Sequence, residues 1–324
     1  MNRSEALQLK GLIEKAKTIL LTTHINPDGD GLGTGSALMH SLKKMGKKVD
    51  FINRDTLPAI YSFLPGSRQI RSMQKVKGRY DLVIFLECPD LQRNGHVFDH
   101  ASQAKCSVNI DHHLGNIMYA DMNIVDPAAP AVGVQIYRFM KWAGWEITKE
   151  AAQGLYTAIV TDTGSFGYSN TTPEPHEIAS ELIKAGVKPS EIGAEVYATS
   201  EGAVRLTTMM LNGLKLDKGI GYSVLTRAMF KKSKARENET DNFINVIRAM
   251  KEVKVAVLFK EIKKNVFKIS FRSKKGVDVN LIASELNGGG HKYAAGCVVS
   301  LPMKQALKKV LHEIKRSMAA RRAK

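Results

Sequence analysis

Four times within the first half of this chain a short, strongly apolar segment runs directly into carboxylates or histidines. In T-H-I-N-P-D-G-D these are His24, Asp28 and Asp30; in D-L-V-I-F-L-E-C-P-D-L-Q-R they are Glu87 and Asp90, with Arg93 beyond. In V-N-I-D-H-H-L-G-N they are Asp111, His112 and His113, and in T-A-I-V-T-D-T-G-S-F Asp162 ends an apolar helical run. The strand-like runs are short and rich in Val, Ile and Leu, as strands are in a parallel sheet with helices on both faces. In open sheets of that kind ligands gather outside the carboxyl ends of the strands, where side chains remote in sequence converge. An α/β layer fold with one functional edge therefore accounts for the apolar runs and for the polar residues that end them.

The rest of the first part fits this architecture. The pattern predicts a helix over 4–16, strands over 18–23, 48–52, 81–86 and 106–110, and helices over 132–142, 149–160 and 175–184. Gly29, Gly31, Gly33 and Gly35 read as a sharp loop that lets the next helix, with Leu38, Leu42 and Met45 on one face, approach closely. The N-terminus of that helix favours an anion nearby. The loop is not a dinucleotide fingerprint, which would need glycine at Thr34 or Ser36, and no phosphate-loop string G-x-x-x-x-G-K-[ST] occurs. Taken alone, His24, Asp28 and Asp30 read more readily as turn and cap residues than as metal ligands.

The second part reads differently. A helical connector over 189–211 leads to strands at 221–225, 254–260 and 266–272, the last two joined by a tight turn at Lys263-Lys264-Asn265, with a polar stretch over 231–241. A helix over 279–286 runs into the Gly288-Gly289-Gly290-His291 loop and a strand over 294–300. A last helix over 304–318 places Leu307, Val310, Leu311, Ile314 and Met318 on one stripe, and 321–324 is expected to fray. This predicts a smaller mixed-sheet α+β domain. Charge divides the chain in the same way: residues 1–200 hold 21 Lys and Arg against 21 Asp and Glu, whereas residues 201–324 hold 27 against 10, the whole net excess of 17. A basic second domain is a candidate for holding a polyanion, the alternative being a solvated basic face without a partner. No apolar run approaches a membrane span, residues 1–17 lack a signal-peptide core, and Cys88, Cys106 and Cys297 lack disulfide spacing. No membrane association and a cytoplasmic location are expected.

An acid followed by two histidines at a strand end is uncommon, and the mixed imidazole and carboxylate set suits a binuclear site of Mn, Zn or Fe better than an all-oxygen Mg or Ca cage. With G-G-G-H-K-Y-A-A-G over 288–296, these motifs resemble, over nearly the whole chain, the DHH phosphoesterase family, in particular its DHHA1-containing members of the nanoRNase and pAp-phosphatase type. The resemblance implies an N-terminal parallel-sheet DHH domain over 1–188, a helical linker over 189–212 and a C-terminal DHHA1 domain over 213–324. It implies one Mn2+ held by His24, Asp28 and Glu87, and a second by Asp30, Glu87, His112 and Asp162. Asp111 would orient the neighbouring histidines and His113 would face the substrate phosphate. Arg272, Gly288, Gly289, Gly290 and His291 would grip the far end of the substrate, with Arg93 a further contact.

The resemblance also implies the reaction: two-metal activation of water, without a covalent nucleophile, on short oligoribonucleotides (nanoRNA) from an end and on 3′-phosphoadenosine 5′-phosphate (pAp). Linear or cyclic dinucleotides are the alternative substrates. Long single strands fit less well, since Trp142 and Trp145 both lie in the first part and no extended stacking track is evident. Manganese-dependent pyrophosphatases share the first-domain motifs, but the G-G-G-H signature belongs to the nucleotide-cleaving relatives. The sequence departs from the family at Glu87, where Asp is usual, and Glu carries its carboxylate one methylene further out. Asp90 is the alternative ligand, and the strand-end position favours Glu87. A nucleotide- or RNA-binding protein with catalysis impaired by Glu87 is the reading of another class, and homodimerisation, as in relatives, is left open.

Overall fold

The computed structural model describes residues 1–97, 103–240, 242–274 and 276–320, with the backbone alone at Asn238, His291 and Ala320. The expectation of a frayed tail over 321–324 lies outside the described residues. The chain divides into two compact units, Met1–Ala198 and Thr199–Lys324.

The first unit is built on strands β1 (Thr18–Thr22), β2 (Lys48–Asn53), β3 (Ile70–Ser72), β4 (Leu82–Leu86), β5 (Ser107–Asp111) and β6 (Met122–Val125). Their order in the sheet is β3-β2-β1-β4-β5-β6, and every neighbouring pair is parallel. All residues of β4 and β5 are buried, which explains their unbroken apolar look: alternate side chains enter different cores. Leu82, Ile84 and Leu86 join the larger core, and Val83 and Phe85 pack with Leu20, Ile52, Val76 and Tyr80 on the other face. The larger core also takes residues of helices α1 (Arg3–Lys15), α2 (Gly29–Lys44), α3 (Val132–Ala143), α4 (Lys149–Asp162), α5 (Pro173–Lys184) and α6 (Pro189–Val196). Strands β3 and β6 were not expected. Both are short, with few of their side chains buried, so only their pairing with β2 and β5 defines them.

The glycine-rich stretch is not a loop. Gly29, Gly31, Gly33 and Gly35 all lie within α2, capped by Asp28. They are small because neighbours come too close for a side chain. A Cβ on Gly33 would stand 2.4 Å from the Gly154 carbonyl oxygen and 2.9 Å from the Ala158 nitrogen, so α2 and α4 touch backbone to backbone.

In the second unit, β7 (Lys215–Asp217), β8 (Ile220–Leu225), β9 (Val255–Lys263), β10 (Val266–Ser273), β11 (Gly289–His291) and β12 (Ala294–Ser300) form a sheet of order β11-β12-β10-β9-β8-β7. Only β8 and β9 pair in parallel, so the sheet is mixed as expected. The helices are α7 (Glu201–Asn212), α8 (Arg227–Ser233), α9 (Phe243–Ala249), α10 (Val279–Ser284) and α11 (Met303–Ala320). On β9, Val255, Val257 and Phe259 share a core with Ala306, Val310 and Ile314 of α11, while Ala256 and Leu258 pack with Leu206, Ile244 and Ile247 of α7 and α9. The expected connector is two helices, not one. Ile192 and Val196 of α6 are buried in the first unit's core, and α7 begins afresh at Ser200, whose side chain accepts from the Ala203 N–H at 3.0 Å. Among the described residues no helix is long and apolar enough to cross a membrane.

Candidate metal centre

From β1 the chain crosses to β2 on one side of the sheet, while β4 lies on the other. The crevice beyond the carboxyl ends of β1 and β4 is thus the switch point at which such folds place their ligands. His24 follows β1, Glu87 follows β4, Asp111 ends β5 with His112 next, Asp28 and Asp30 stand at the start of α2, and Asp162 ends α4. All six residues expected as metal ligands belong to this one edge.

The two aspartates at the start of α2 are held by specific bonds. Asp28 is both cap and candidate ligand: its Oδ1 accepts from the N–H groups of Asp30 and Gly31 at 3.0 and 3.3 Å, and its Oδ2 lies 3.7 Å from His24 Nε2. Asp30 accepts from the N–H groups of Val132 and Gly133 at 2.6 and 2.9 Å, at the N-terminus of α3, a favourable place for a carboxylate. Two buried asparagines brace the edge: Asn53 Oδ1 accepts from the Thr23 N–H at 3.1 Å, and Asn94 Nδ2 donates to Thr22 Oγ1 and the Thr23 carbonyl, both at 3.0 Å. Neither asparagine was singled out from the sequence, because nothing local marks a residue whose partner lies on another strand.

The donor atoms form two overlapping groups, His24–Asp28–Glu87 and Asp30–Glu87–His112, each with its donors within 4.8 Å of one another. Glu87 belongs to both. His24 Nε2 is 3.6 Å from Glu87 Oε2, and His112 Nε2 is 3.9 Å from Asp30 Oδ2 and 3.8 Å from Asp162 Oδ2. These gaps are too long for hydrogen bonds and suit a cation between the atoms. The opposite ring nitrogens meet backbone carbonyls, His24 Nδ1 that of Ile25 at 2.7 Å and His112 Nδ1 that of Ala129 at 3.1 Å. A proton on each Nδ1 leaves Nε2 as the electron-pair donor, the arrangement that metal-binding histidines use. Glu87 Oε2 is buried without a hydrogen-bond partner among the described residues. Gly31 makes room for it, since a Cβ there would stand 2.9 Å from that oxygen.

The electrostatics show what the donors lack. Burial, reinforced by the charges of Asp28, Asp30 and Asp162, holds the Glu87 carboxyl well above its ordinary range. Burial likewise pushes Asp162 up to about 8, with His112 opposing and Asp30 adding. Burial works against charge on His24 and His112 too, but Asp28 outweighs it at the first, and Asp162 with Asp30 at the second, so both rings are raised. Two like charges 4 Å apart in such surroundings repel by about 4 kcal/mol, more than the roughly 1.5–3 kcal/mol of a hydrogen bond to a charged group. The residues fit divalent cations, and cations binding here would release protons.

Asp111 is placed differently. Its Oδ1 takes His113 Nδ1 at 2.7 Å and the His112 N–H at 2.8 Å, while Asn116 Nδ2 donates to its Oδ2 at 2.6 Å. Burial opposes its charge, yet His113 and Asn116 hold the carboxyl down to about 2. Asp111 thus orients His113 and belongs to neither donor group. Asp90, the alternative to Glu87, belongs to neither donor group, and its Oδ1 accepts from the Arg93 N–H at 2.6 Å. The Arg93 carbonyl accepts from the Ile25 N–H at 2.6 Å, which brings that turn to the same edge.

In the second unit Arg272 on β10 is in register with Ala294 on β12, and Ala294 in turn with His291 on β11. Arg272 Nη1 donates to the Phe271 carbonyl at 3.0 Å. Three of the four residues of the expected Gly288–His291 loop form β11. A Cβ on Gly288 would stand 2.2 Å from the Gly296 carbonyl oxygen, and Gly290 has φ +146°, so the glycines are needed for close pairing with β12. The His291 side chain lies outside the described residues.

A mixed carboxylate and imidazole cluster at the switch point of a parallel sheet, with a separate mixed-sheet unit, defines a class of metal-assisted hydrolase. Residues 18–159 match the model of the DHH family, N-terminal domain, and residues 220–320 that of the DHHA1 domain. A bifunctional oligoribonuclease and PAP phosphatase NrnA of Thermus thermophilus is 30% identical over 93% of this chain and 90% of its own. A protein of the same name from Bacillus subtilis is 28% identical over 87% of this chain and 89% of its own. The crystal structure of an exopolyphosphatase-related protein from Bacteroides fragilis superposes with a TM-score of 0.92 at 26% identity, covering 99% of this chain and 98% of its own. The chain belongs to the DHH family of phosphoesterases, in the branch that carries a DHHA1 domain, and is a hydrolase.

Proposed function

We propose that this chain is a manganese-dependent phosphohydrolase that degrades short oligoribonucleotides from an end and removes the 3′-phosphate of pAp. The observation that carries this reading is the pair of donor groups meeting at Glu87, each with a histidine whose Nε2 faces carboxylates. The names of the relatives from Thermus thermophilus and Bacillus subtilis support the substrates. In this reading His24, Asp28 and Glu87 hold one divalent ion, and Asp30, Glu87, His112 and Asp162 the other. When bound, such ions supply activation of water near neutral pH and neutralise charge on phosphoryl oxygens. The side chains then do the positioning: Asp111 fixes the His113 ring through Nδ1, so that Nε2 on the opposite edge meets a phosphoryl oxygen. Arg272 offers a planar pair of donors that Lys cannot reproduce, and Arg93 adds positive charge at the sheet edge.

The catalytic part is assigned to residues 1–188 and the substrate-holding part, with Arg272, Gly288–Gly290 and His291, to 213–324. The boundary between the compact units falls inside the connector over 189–212. Purified protein supplied with Mn, Mg or Co and offered a labelled dinucleotide, pAp, and linear and cyclic dinucleotides tests the reading. Turnover of the dinucleotide and of pAp, strongest with Mn, is expected. Tight binding without turnover of either substrate would replace it with a binding protein on the same scaffold.

A further inference from the structure

The turn after Asp111-His112-His113 carries a feature that hydrolysis alone leaves unused. Leu114, Ile117 and Met118 are 74%, 65% and 57% exposed, three large apolar side chains in five residues, starting beside His113. Single exposed apolar residues are ordinary, but three in one turn that starts beside a polar site point to an interaction surface. The turn is also firmly anchored. Asn116 Nδ2 donates to Asp111 Oδ2 and to Asn109 Oδ1, both at 2.6 Å, and Asn116 Oδ1 accepts from the Met118 N–H at 2.8 Å. The Ile117 N–H donates to the Pro89 carbonyl at 3.1 Å, two residues beyond Glu87. Met118 is held at φ +55°, a conformation a non-glycine residue keeps only when its surroundings impose it. The apolar side chains are therefore tied on one side to the carboxylate that orients His113 and on the other to the turn after Glu87.

We propose that Leu114, Ile117 and Met118 form an apolar ledge for the base of the nucleotide whose phosphate lies at the metal centre. This rests on the phosphohydrolase reading and deepens it. A nucleotide phosphate drawn to this cluster brings with it a base, whose flat faces are apolar although its edges are polar. Aliphatic side chains meet the face of any base without reading its edge, which suits an enzyme that degrades short RNA of any sequence. Three side chains are far too few for a stable interface between two copies, which takes about 20–30 residues a side.

The test is calorimetric titration of the manganese-supplied protein with AMP and, separately, with ribose 5-phosphate, which has the phosphate and sugar but no base. The wild type is expected to prefer AMP, and the triple variant Leu114→Ser, Ile117→Ser, Met118→Ser to lose about tenfold of that preference. The conservative variant Leu114→Met, Ile117→Leu should keep it, which separates apolar contact from a general disturbance of the turn. An equal AMP preference in wild type and triple variant, or no preference in the wild type, overturns the ledge. So does a wild-type dimer in sedimentation that the triple variant converts to monomer. The titrations need binding and not turnover, so a wild type that hydrolyses neither dinucleotide nor pAp would count against the phosphohydrolase reading alone.

Discussion

Glu87 shows how one residue can be legible in part. Its place at a strand end and the usual Asp there pointed to it, but how the longer side chain fits was not readable. The fit depends on Gly31, which lies in α2, and on a backbone held at φ +53°. Glu87→Asp is expected to keep turnover, while Glu87→Ala should lose about a hundredfold or more, measured as kcat with Mn. Gly31→Ala should be nearly as damaging although it removes no ligand, because its Cβ would stand 2.2 Å from Thr23 Oγ1 and 2.9 Å from Glu87 Oε2 and force both to shift. Asp162→Ala and His112→Ala should abolish turnover with circular dichroism unchanged; a wild-type rate in either would remove that residue from the metal assignment. Asn116→Ala loosens Asp111 and with it His113, so kcat should fall about 10- to 100-fold with metal content unchanged.

Among elements, the buried strands and the long amphipathic helices were legible because their patterns are local. What escaped were pieces defined by a partner: the edge strands β3, β6, β7 and β11, and the short helices α8 and α9 around the polar stretch over 231–241. The glycines of α2 give the close approach expected of them, but from within the helix and not from a loop. They permit helix-to-helix contact that sets Asp28 and Asp30 on α2 against Asp162 at the end of α4. Gly33→Ala is therefore expected to destabilise by about 1–3 kcal/mol and to weaken metal binding. Gly11→Ala is the matched control: it lies in α1 with nothing within 4 Å of a new Cβ, and should stabilise by about 0.5–1 kcal/mol. Urea unfolding of both variants measures the contrast, and equal effects would show that α2 and α4 tolerate separation.

On the scale of the whole molecule, charge and sequence pattern both change near residue 200, and the chain divides into compact units between Ala198 and Thr199. The basic excess of the second unit gives a salt-dependent expectation. KM for a short oligoribonucleotide should rise about threefold per phosphate contact for a fourfold rise in salt. Arg272→Ala should raise KM about tenfold or more with metal content unchanged. Crowded carboxylates at the sheet edge also make the fold a partner in metal binding, so Tm should rise with Mn and fall with a chelator.

The central claim is that two divalent ions share Glu87 and that hydrolysis needs both. Titrating Mn into chelator-treated protein, while following both bound metal per chain and hydrolysis of a labelled dinucleotide, tests it most directly. Two ions per chain, with turnover emerging as the second binds and both effects lost in Glu87→Ala, is the predicted result. Full turnover with a single ion, or in Glu87→Ala, would contradict it.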